Sequence, residues 1–141
     1  RSFFEIDTGC DRTLLSRKIC KDMNLKVEKF KRCRIVKGVS GNNIECDDYC
    51  AFRFKITSKD GGNAGLTILA YVYDVGDIPC LLGNDVMSAI NAMIDYRTNT
   101  LSFGGKHFEL LDDKIKCRDV CKYSGLGVFF CKNYTIIKPG E

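Results

Sequence analysis

The sequence predicts an all-β protein, a small closed β-barrel or closed sandwich with one or two short helices. Three observations carry that reading. Short apolar or β-branched runs recur at close spacing, separated by Gly, Asn and Asp clusters that act as turn signals. Cys50 to Ile56 alternates cleanly, with Cys50, Phe52, Phe54 and Ile56 on one side and Ala51, Arg53 and Lys55 on the other. That is the pattern of a strand with one dry and one wet face. Helix-like spacing appears only in two short stretches.

The first element is the apolar run Phe3-Phe4-Glu5-Ile6, which ends in Asp7-Thr8-Gly9-Cys10. β-formers lead straight to an aspartate and then to a glycine-bearing turn, so the strand delivers a carboxylate at its mouth. From Asp11 or Arg12 to about Met23, the positions of Leu14, Leu15, Ile19 and Met23 predict a short helix closed by Asn24. Leu25 to Val36 is expected to be extended. Gly38-Val39-Ser40-Gly41-Asn42-Asn43 then reads as the polar tip of a hairpin whose return arm reaches Ile56. Ser58 to Gly65 is a loop. Leu66 to Val75 is nearly continuous in apolar and β-branched residues, which predicts a central strand buried on both faces, and Asp77-Ile78-Pro79 breaks it. Cys80 to Leu82 is another apolar strand, running into Gly83-Asn84-Asp85 and a helical piece from about Val86 to Ala92. Its layout repeats the first: strand, glycine, aspartate, short helix. Met93 to Tyr96, Thr100 to Phe103 and Lys106 to Leu111 form a meander with turns at Arg97-Thr98-Asn99 and Gly104-Gly105. Beyond Asp112, Gly127 to Ile137 reads as one more strand or hairpin arm before Pro139-Gly140.

These elements fit one domain over residues 1–111 and a C-terminal extension over 112–141. The chain is 45% apolar and 28% charged with a net charge of +4, an ordinary globular balance. No run approaches a membrane span and no basic-then-apolar leader is present, so no membrane partner is expected. Basic residues crowd between Lys26 and Arg34, but Glu28, Phe30 and Cys33 interrupt them. The reading is a charged strand edge that discourages stray pairing, in preference to a nucleic acid surface. Nine cysteines, an odd number, cannot all pair. Several fall inside apolar alternation, as buried free thiols do, and an intracellular, cytoplasmic, reducing location is expected. The spacings Cys46 to Cys50 and Cys117 to Cys121, with Cys131 and His107, raise zinc, but one pair falls in a predicted hairpin. No metal and no cofactor are expected. Gly104-Gly105-Lys106 and Gly125-Leu126-Gly127 lack the spacing or the following helix of a phosphate-binding loop. Asn133-Tyr134-Thr135 fits a glycosylation acceptor only formally.

Ile6-Asp7-Thr8-Gly9, the hairpin tip Gly38-Val39-Ser40-Gly41, and Leu81-Leu82-Gly83-Asn84-Asp85 together resemble the retropepsins, the aspartic proteases of retroviruses and long-terminal-repeat retrotransposons and their domesticated relatives. The resemblance spans about Phe3 to Leu111, and Tyr134 to Gly140 looks like sequence that follows the protease in retrotransposon polyproteins. It implies a closed barrel acting as a homodimer on a polypeptide, with Asp7 of each subunit forming the catalytic pair. Two carboxylates held together cannot both ionise, so they share a proton; one activates water while the other polarises the peptide carbonyl. The resemblance further implies that Thr8 locks the two loops across the dimer and that Gly9 lets the backbone approach the carboxylates. The hairpin from Arg34 to Ile56 becomes a flap whose tip, Gly38 to Gly41, closes over substrate. Asp11, Ile78, Pro79 and Leu81 are expected to line the groove, and Gly83, Asn84 and Asp85 to brace the active-site loop.

Two features depart from the family. Cys10 stands where Ser, Thr or Ala is usual, and a thiol is the weaker donor; it is also a candidate redox handle, and a nucleophile only if the fold brings His107 beside it, which the sequence does not indicate. Retropepsins carry an N-terminal hairpin before the catalytic strand, and six residues precede Asp7 here. The residues beyond Leu111 are candidates for a replacement strand, an added interface or a linker. Two functions are therefore expected in competition: a homodimeric aspartic endopeptidase processing a polyprotein or an intracellular protein, and a retropepsin-like module without catalysis that serves dimerisation or peptide binding.

Overall fold

The computed structural model describes residues 4–7, 9–37, 43–58, 61–73, 80–110, 128–131 and 134–140. Most of the described chain lies in one twisted sheet. Its strands follow the order β10 (Val128–Cys131), β1 (Phe4–Asp7), β6 (Cys80–Leu82), β2 (Leu14–Ser16), β5 (Asn63–Tyr73), β4 (Asn43–Thr57) and β11 (Tyr134–Ile137), with β3 (Val27–Lys37) also paired to β4. A second sheet is the meander β7 (Met93–Asp95), β8 (Thr100–Phe103) and β9 (Lys106–Glu109). Two six-residue helices, α1 (Arg17–Asp22) and α2 (Asn84–Ala89), complete the described elements. The fold is all-β with short helices, as the patterning predicts. Among the described residues β10 and β11 end the hydrogen-bonded path without pairing to each other. The expected closed ring of strands is not seen there.

Three elements differ from expectation, each for a packing reason. Leu14–Ser16 is a strand where a helix is predicted. Leu15 enters the main core and Leu14 a second apolar cluster, and a strand that pairs with both β5 and β6 puts successive side chains on opposite faces. The helix starts only at Arg17, where Ser16 caps it by accepting from the Ile19 amide at 3.1 Å. β5 is not buried on both faces: Ile68, Ala70 and Val72 point inward while Leu69 is 49% exposed. The C-terminal residues supply two strands. β10 runs antiparallel along the whole of β1, and β11 lies against the Arg53–Ile56 segment of β4.

The length of β4 organises the rest. Its Asp48–Thr57 portion pairs with β5 and feeds Cys50, Phe52, Phe54 and Ile56 into the main core. Its earlier residues extend past β5 and pair with β3 alone. There Val36 and Cys46 turn into the second cluster beside Cys10, Leu14, Tyr73 and Leu81. Each large side chain fully buried in this way contributes about 1.5–3 kcal/mol. Arg17 ties α1 to β4 through Asp48 at 2.6 Å. Within the core the Cys20 and Cys50 thiols are hydrogen-bonded, and that bond together with burial holds Cys20 in its protonated form.

Candidate active site

β1 is the strand that presents Asp7. It is paired on both sides, with Ile6 opposite Leu82 of β6 and Phe129 of β10, and Asp7 opposite Val128. Ile6 is fully buried in the main core and Glu5 is fully buried on the opposite face. Burial raises the Tyr73 phenol above its ordinary value, and the charge of Glu5 adds to that rise. Phe4 to Ile6 are thus held between two neighbouring strands, and Asp7 against β10.

The loop after β1 is clamped by the β6–α2 junction. The Asn84 amide donates to the Cys10 carbonyl at 2.8 Å, and the Asp85 amide to the Asp11 carbonyl at 3.3 Å. The Asp85 carboxylate accepts from the Thr13 amide at 3.1 Å, from the Thr13 hydroxyl at 2.8 Å and from the Val86 amide at 2.8 Å. Thr13 Oγ1 in turn accepts from the Gly83 amide at 3.1 Å. Gly83 is pressed so closely on the loop that a Cβ there would lie 2.7 Å from Arg12 C, Arg12 O and Cys10 O. Only glycine allows this approach without moving backbone.

No protein-family model matches the chain, and no curated protein sequence matches it. A solved structure does: the retroviral protease-like domain of Ddi1 from Leishmania major is similar with a TM-score of 0.52 at 13% identity, over 77% of this chain and 83% of that one. The fold is retropepsin-like. At that identity the likeness is one of fold alone, so the chemistry of the site has to be argued from its residues.

Within this retropepsin-like frame the expected site residues fall into three groups. Gly83, Asn84 and Asp85 stand against Cys10 to Thr13, as described. Gly9 is exposed in the turn, and Asp11 is exposed in a cleft of about 560 Å³ that it lines with Arg12, Ile35, Lys37, Asn84 and Asp85. Leu81, expected in the groove, is buried in the second cluster between the loop and the root of the β3–β4 hairpin. Thr8, Gly38, Val39, Ser40, Gly41, Ile78 and Pro79 lie outside the described residues, and Asp7 is described by its backbone. Sequence reasoning missed Thr13. Its one signal is a hydroxyl beside two leucines, and a fully buried hydroxyl needs a partner.

Cys10 is buried and its thiol donates to the Arg12 carbonyl at 3.1 Å. His107 Nδ1 is 2.7 Å from Ser102 Oγ on the small sheet, so the structure does not bring Cys10 and His107 together. A cavity of about 830 Å³ lies over that sheet and is lined by Tyr96, Arg97, Ser102 and His107 among others. Asp95 there accepts from its own turn, the Arg97 and Thr98 amides. The Ser102–His107 pair is thus not oriented by Asp95, and the Asp7 strand end remains the stronger candidate despite the smaller cleft beside it. Among the described residues no three His, Cys, Asp or Glu side chains converge as a metal site, and Cys10, Cys20, Cys33, Cys46, Cys50 and Cys80 are free thiols.

Proposed function

We propose that this chain is an aspartic endopeptidase that works as a homodimer, with Asp7 of each subunit forming the catalytic pair. The observation that carries the reading is a strand paired on both sides in a retropepsin-like fold that ends at the Asp of Asp-Thr-Gly, with residues Cys10 to Thr13 beyond it locked by Gly83 and Asp85. Carboxylate catalysis needs that rigidity, because small displacements of positioned groups cost large factors in rate. The ionised member of the pair takes a proton from water, and the protonated member donates to the scissile carbonyl. A tetrahedral intermediate forms with no covalent link to the enzyme. No cofactor takes part.

Substrate runs along the cleft between the active-site loop and the hairpin root, past Asp11, Ile78 and Pro79, with Leu81 packed beneath it in the second cluster. The flap tip Gly38 to Gly41 closes over it. The free buried thiols support work in a reducing, cytoplasmic compartment, on a polyprotein or another intracellular protein. A second reading, a catalytically silent module for dimerisation or peptide binding, is favoured by Cys10, whose weak donor is directed at the Arg12 carbonyl.

The test is cleavage of a diverse peptide library at about pH 5, comparing the wild-type chain with Asp7→Asn and with a transition-state-mimicking aspartic protease inhibitor. Activity lost in both controls, and rising more steeply than linearly with protein concentration, is the expected result. No cleavage at concentrations where the chain is dimeric would overturn the enzyme reading in favour of the module.

A further inference from the structure

Strand β3 carries the positive charge of the molecule. Between positions 26 and 37 six basic residues, Lys26, Lys29, Lys31, Arg32, Arg34 and Lys37, face one acid, Glu28, so this stretch holds +5 and the rest of the chain sums to −1. Sequence patterning reads such a strand as a guarded edge. The geometry adds three observations that a guard does not need.

The strand is bulged. Its pairing with β4 runs from Val27 opposite Cys50 to Lys29 opposite Asp48, breaks, and resumes with Arg34 opposite Cys46, leaving Phe30 to Cys33 against Asp47 alone. A bulge already blunts an edge without help from charge. The cations are also unspent. Lys29, Lys31, Arg32, Arg34 and Lys37 are exposed, and none forms a salt bridge with a described residue; Lys26 alone pairs, with Glu28 at 3.2 Å. The nearby acids are committed elsewhere or few: Glu28 is also held by the Tyr49 hydroxyl, and Glu45 and Asp47 lie on β4 near Cys33.

The third observation is aromatic. Phe30, from the bulge, lies with its ring 4.7 Å from that of Tyr49 and edge-on to Tyr71 at 4.8 Å. Tyr49 and Tyr71 are direct cross-strand partners on β4 and β5. Arg34 sits over the Phe30 ring at 5.2 Å and Arg12 over the Tyr71 ring at 5.8 Å. All three rings remain partly exposed, and the sheet continues through exposed Leu69. A guanidinium stacked on a ring uses its face and keeps its in-plane donors for an anion. Cations interleaved with half-exposed rings match a ligand that alternates phosphates with flat bases.

We propose that this face binds a single-stranded nucleic acid. Lys31, Arg32, Arg34 and Lys37, along the bulge and the outer arm of β3, take phosphates, and the Phe30–Tyr49–Tyr71 cluster takes unpaired bases; Lys29, opposite Asp48, lies on the other face. An acidic protein would use the charge but leave the rings without a role. A duplex offers its phosphates but keeps its bases stacked inside, away from a sheet face. The inference does not depend on the protease reading.

The experiment is fluorescence anisotropy of a labelled oligouridylate of about 20 nucleotides with the full chain, from about 50 to 300 mM salt. About four neutralised phosphates at about −0.7 each give an expected log–log salt slope near −3. Lys31→Glu with Arg32→Glu changes exposed residues outside the ladder, and is expected to weaken binding at least about tenfold and flatten the slope. Lys18→Glu with Lys21→Glu, the same charge change on α1, is expected to leave binding within about twofold, and Phe30→Leu to weaken it at an unchanged slope. Circular dichroism melts matching wild type show that the variants fold. Absence of binding at the lowest salt, equal loss in both charge-reversal pairs, equal affinity for a duplex of the same length, or equal displacement by polyglutamate would each overturn the proposal.

Discussion

Thr13→Val isolates the clamp beneath the Asp7 loop, because it keeps the branched shape of the side chain and removes only the hydroxyl. That hydroxyl donates to Asp85 at 2.8 Å and accepts from the Gly83 amide at 3.1 Å. Valine leaves the Gly83 amide buried without its acceptor, which costs about 1–3 kcal/mol. It also removes one of three donors from a carboxylate that keeps the Thr13 and Val86 amides, a further loss of about 1.5 kcal/mol at the low end for a charged acceptor. With some relaxation, the sum is about 3 kcal/mol. For a urea dependence of about 2 kcal/mol per molar, the unfolding midpoint should fall by about 1.5 M. Thr13→Ser keeps both hydrogen bonds and loses a methyl, so it should cost only about 1 kcal/mol. Urea unfolding followed by far-ultraviolet circular dichroism in reducing buffer measures both. A valine variant within about 0.5 kcal/mol of wild type, or a serine variant as damaged as the valine one, would refute the clamp.

Three further outcomes follow from the same coordinates. Gly83→Ala must push a Cβ away from three backbone atoms at 2.7 Å, so it should destabilise by about 2–4 kcal/mol in the same unfolding assay, and its effect should be less than additive with Thr13→Val, since both break one contact surface. Alkaline pH should weaken the fold: burial raises Cys46 to about 11 from 9.0 and also raises Cys80 and Tyr73, so the protonated forms are favoured in the folded state. These contributions are complete below about pH 9; that of Cys46 is lost as pH climbs toward 11, while the loss from Cys80 and Tyr73 extends to higher pH, and within the Cys20–Cys50 pair the rise of one thiol and the lowering of the other oppose each other; urea midpoints at about pH 8 and about pH 10.5 test this, and equal midpoints would contradict it. Truncation after Leu110 removes β10 and β11 and uncovers the edges of β1 and of the Arg53–Ile56 segment of β4. The truncated chain should lose cooperative unfolding and aggregate on size-exclusion chromatography, whereas a monomeric, cooperatively folding product would show that these strands contribute little.

What the sequence made legible was local. The Cys50 to Ile56 alternation, the meander from Met93 onward and the strand that ends in Asp7 each follow from a period of two and from turn residues, which neighbours along the chain decide. The misread elements were those decided by distant partners. Leu14 and Leu15 look helical at a spacing that also suits a two-sided strand, and only β5 and β6 on either side resolve it. Leu66 to Val75 looks doubly buried until Leu69 is seen on an uncovered face. The bracing of the Cys10 to Thr13 loop joins residues about seventy positions apart, and no periodicity reports such a contact. Thr13 went unnoticed for that reason, and so did the bulge that sets Phe30 against Tyr49 and Tyr71.

The expected repeat of strand, glycine, aspartate and short helix holds only in part, since Asp7 precedes its glycine and β2 stands between that turn and α1, but each copy places an aspartate near a glycine at a strand end. The two copies have diverged in use. At the first, Asp7 closes a strand that is paired on both sides and opens an exposed glycine turn. At the second, Asp85 accepts three hydrogen bonds, two from Thr13 and one from Val86, and sits at the start of α2, where a negative charge is already favoured. A carboxylate so committed cannot also share a proton with a neighbour or take one from water without giving up the loop it holds. Asp85 is therefore a support for the first copy and not its chemical partner. Under the proposed function the second carboxylate has to come from the same position of another chain, and the clamp is what keeps each Asp7 loop in a fixed shape until the two meet.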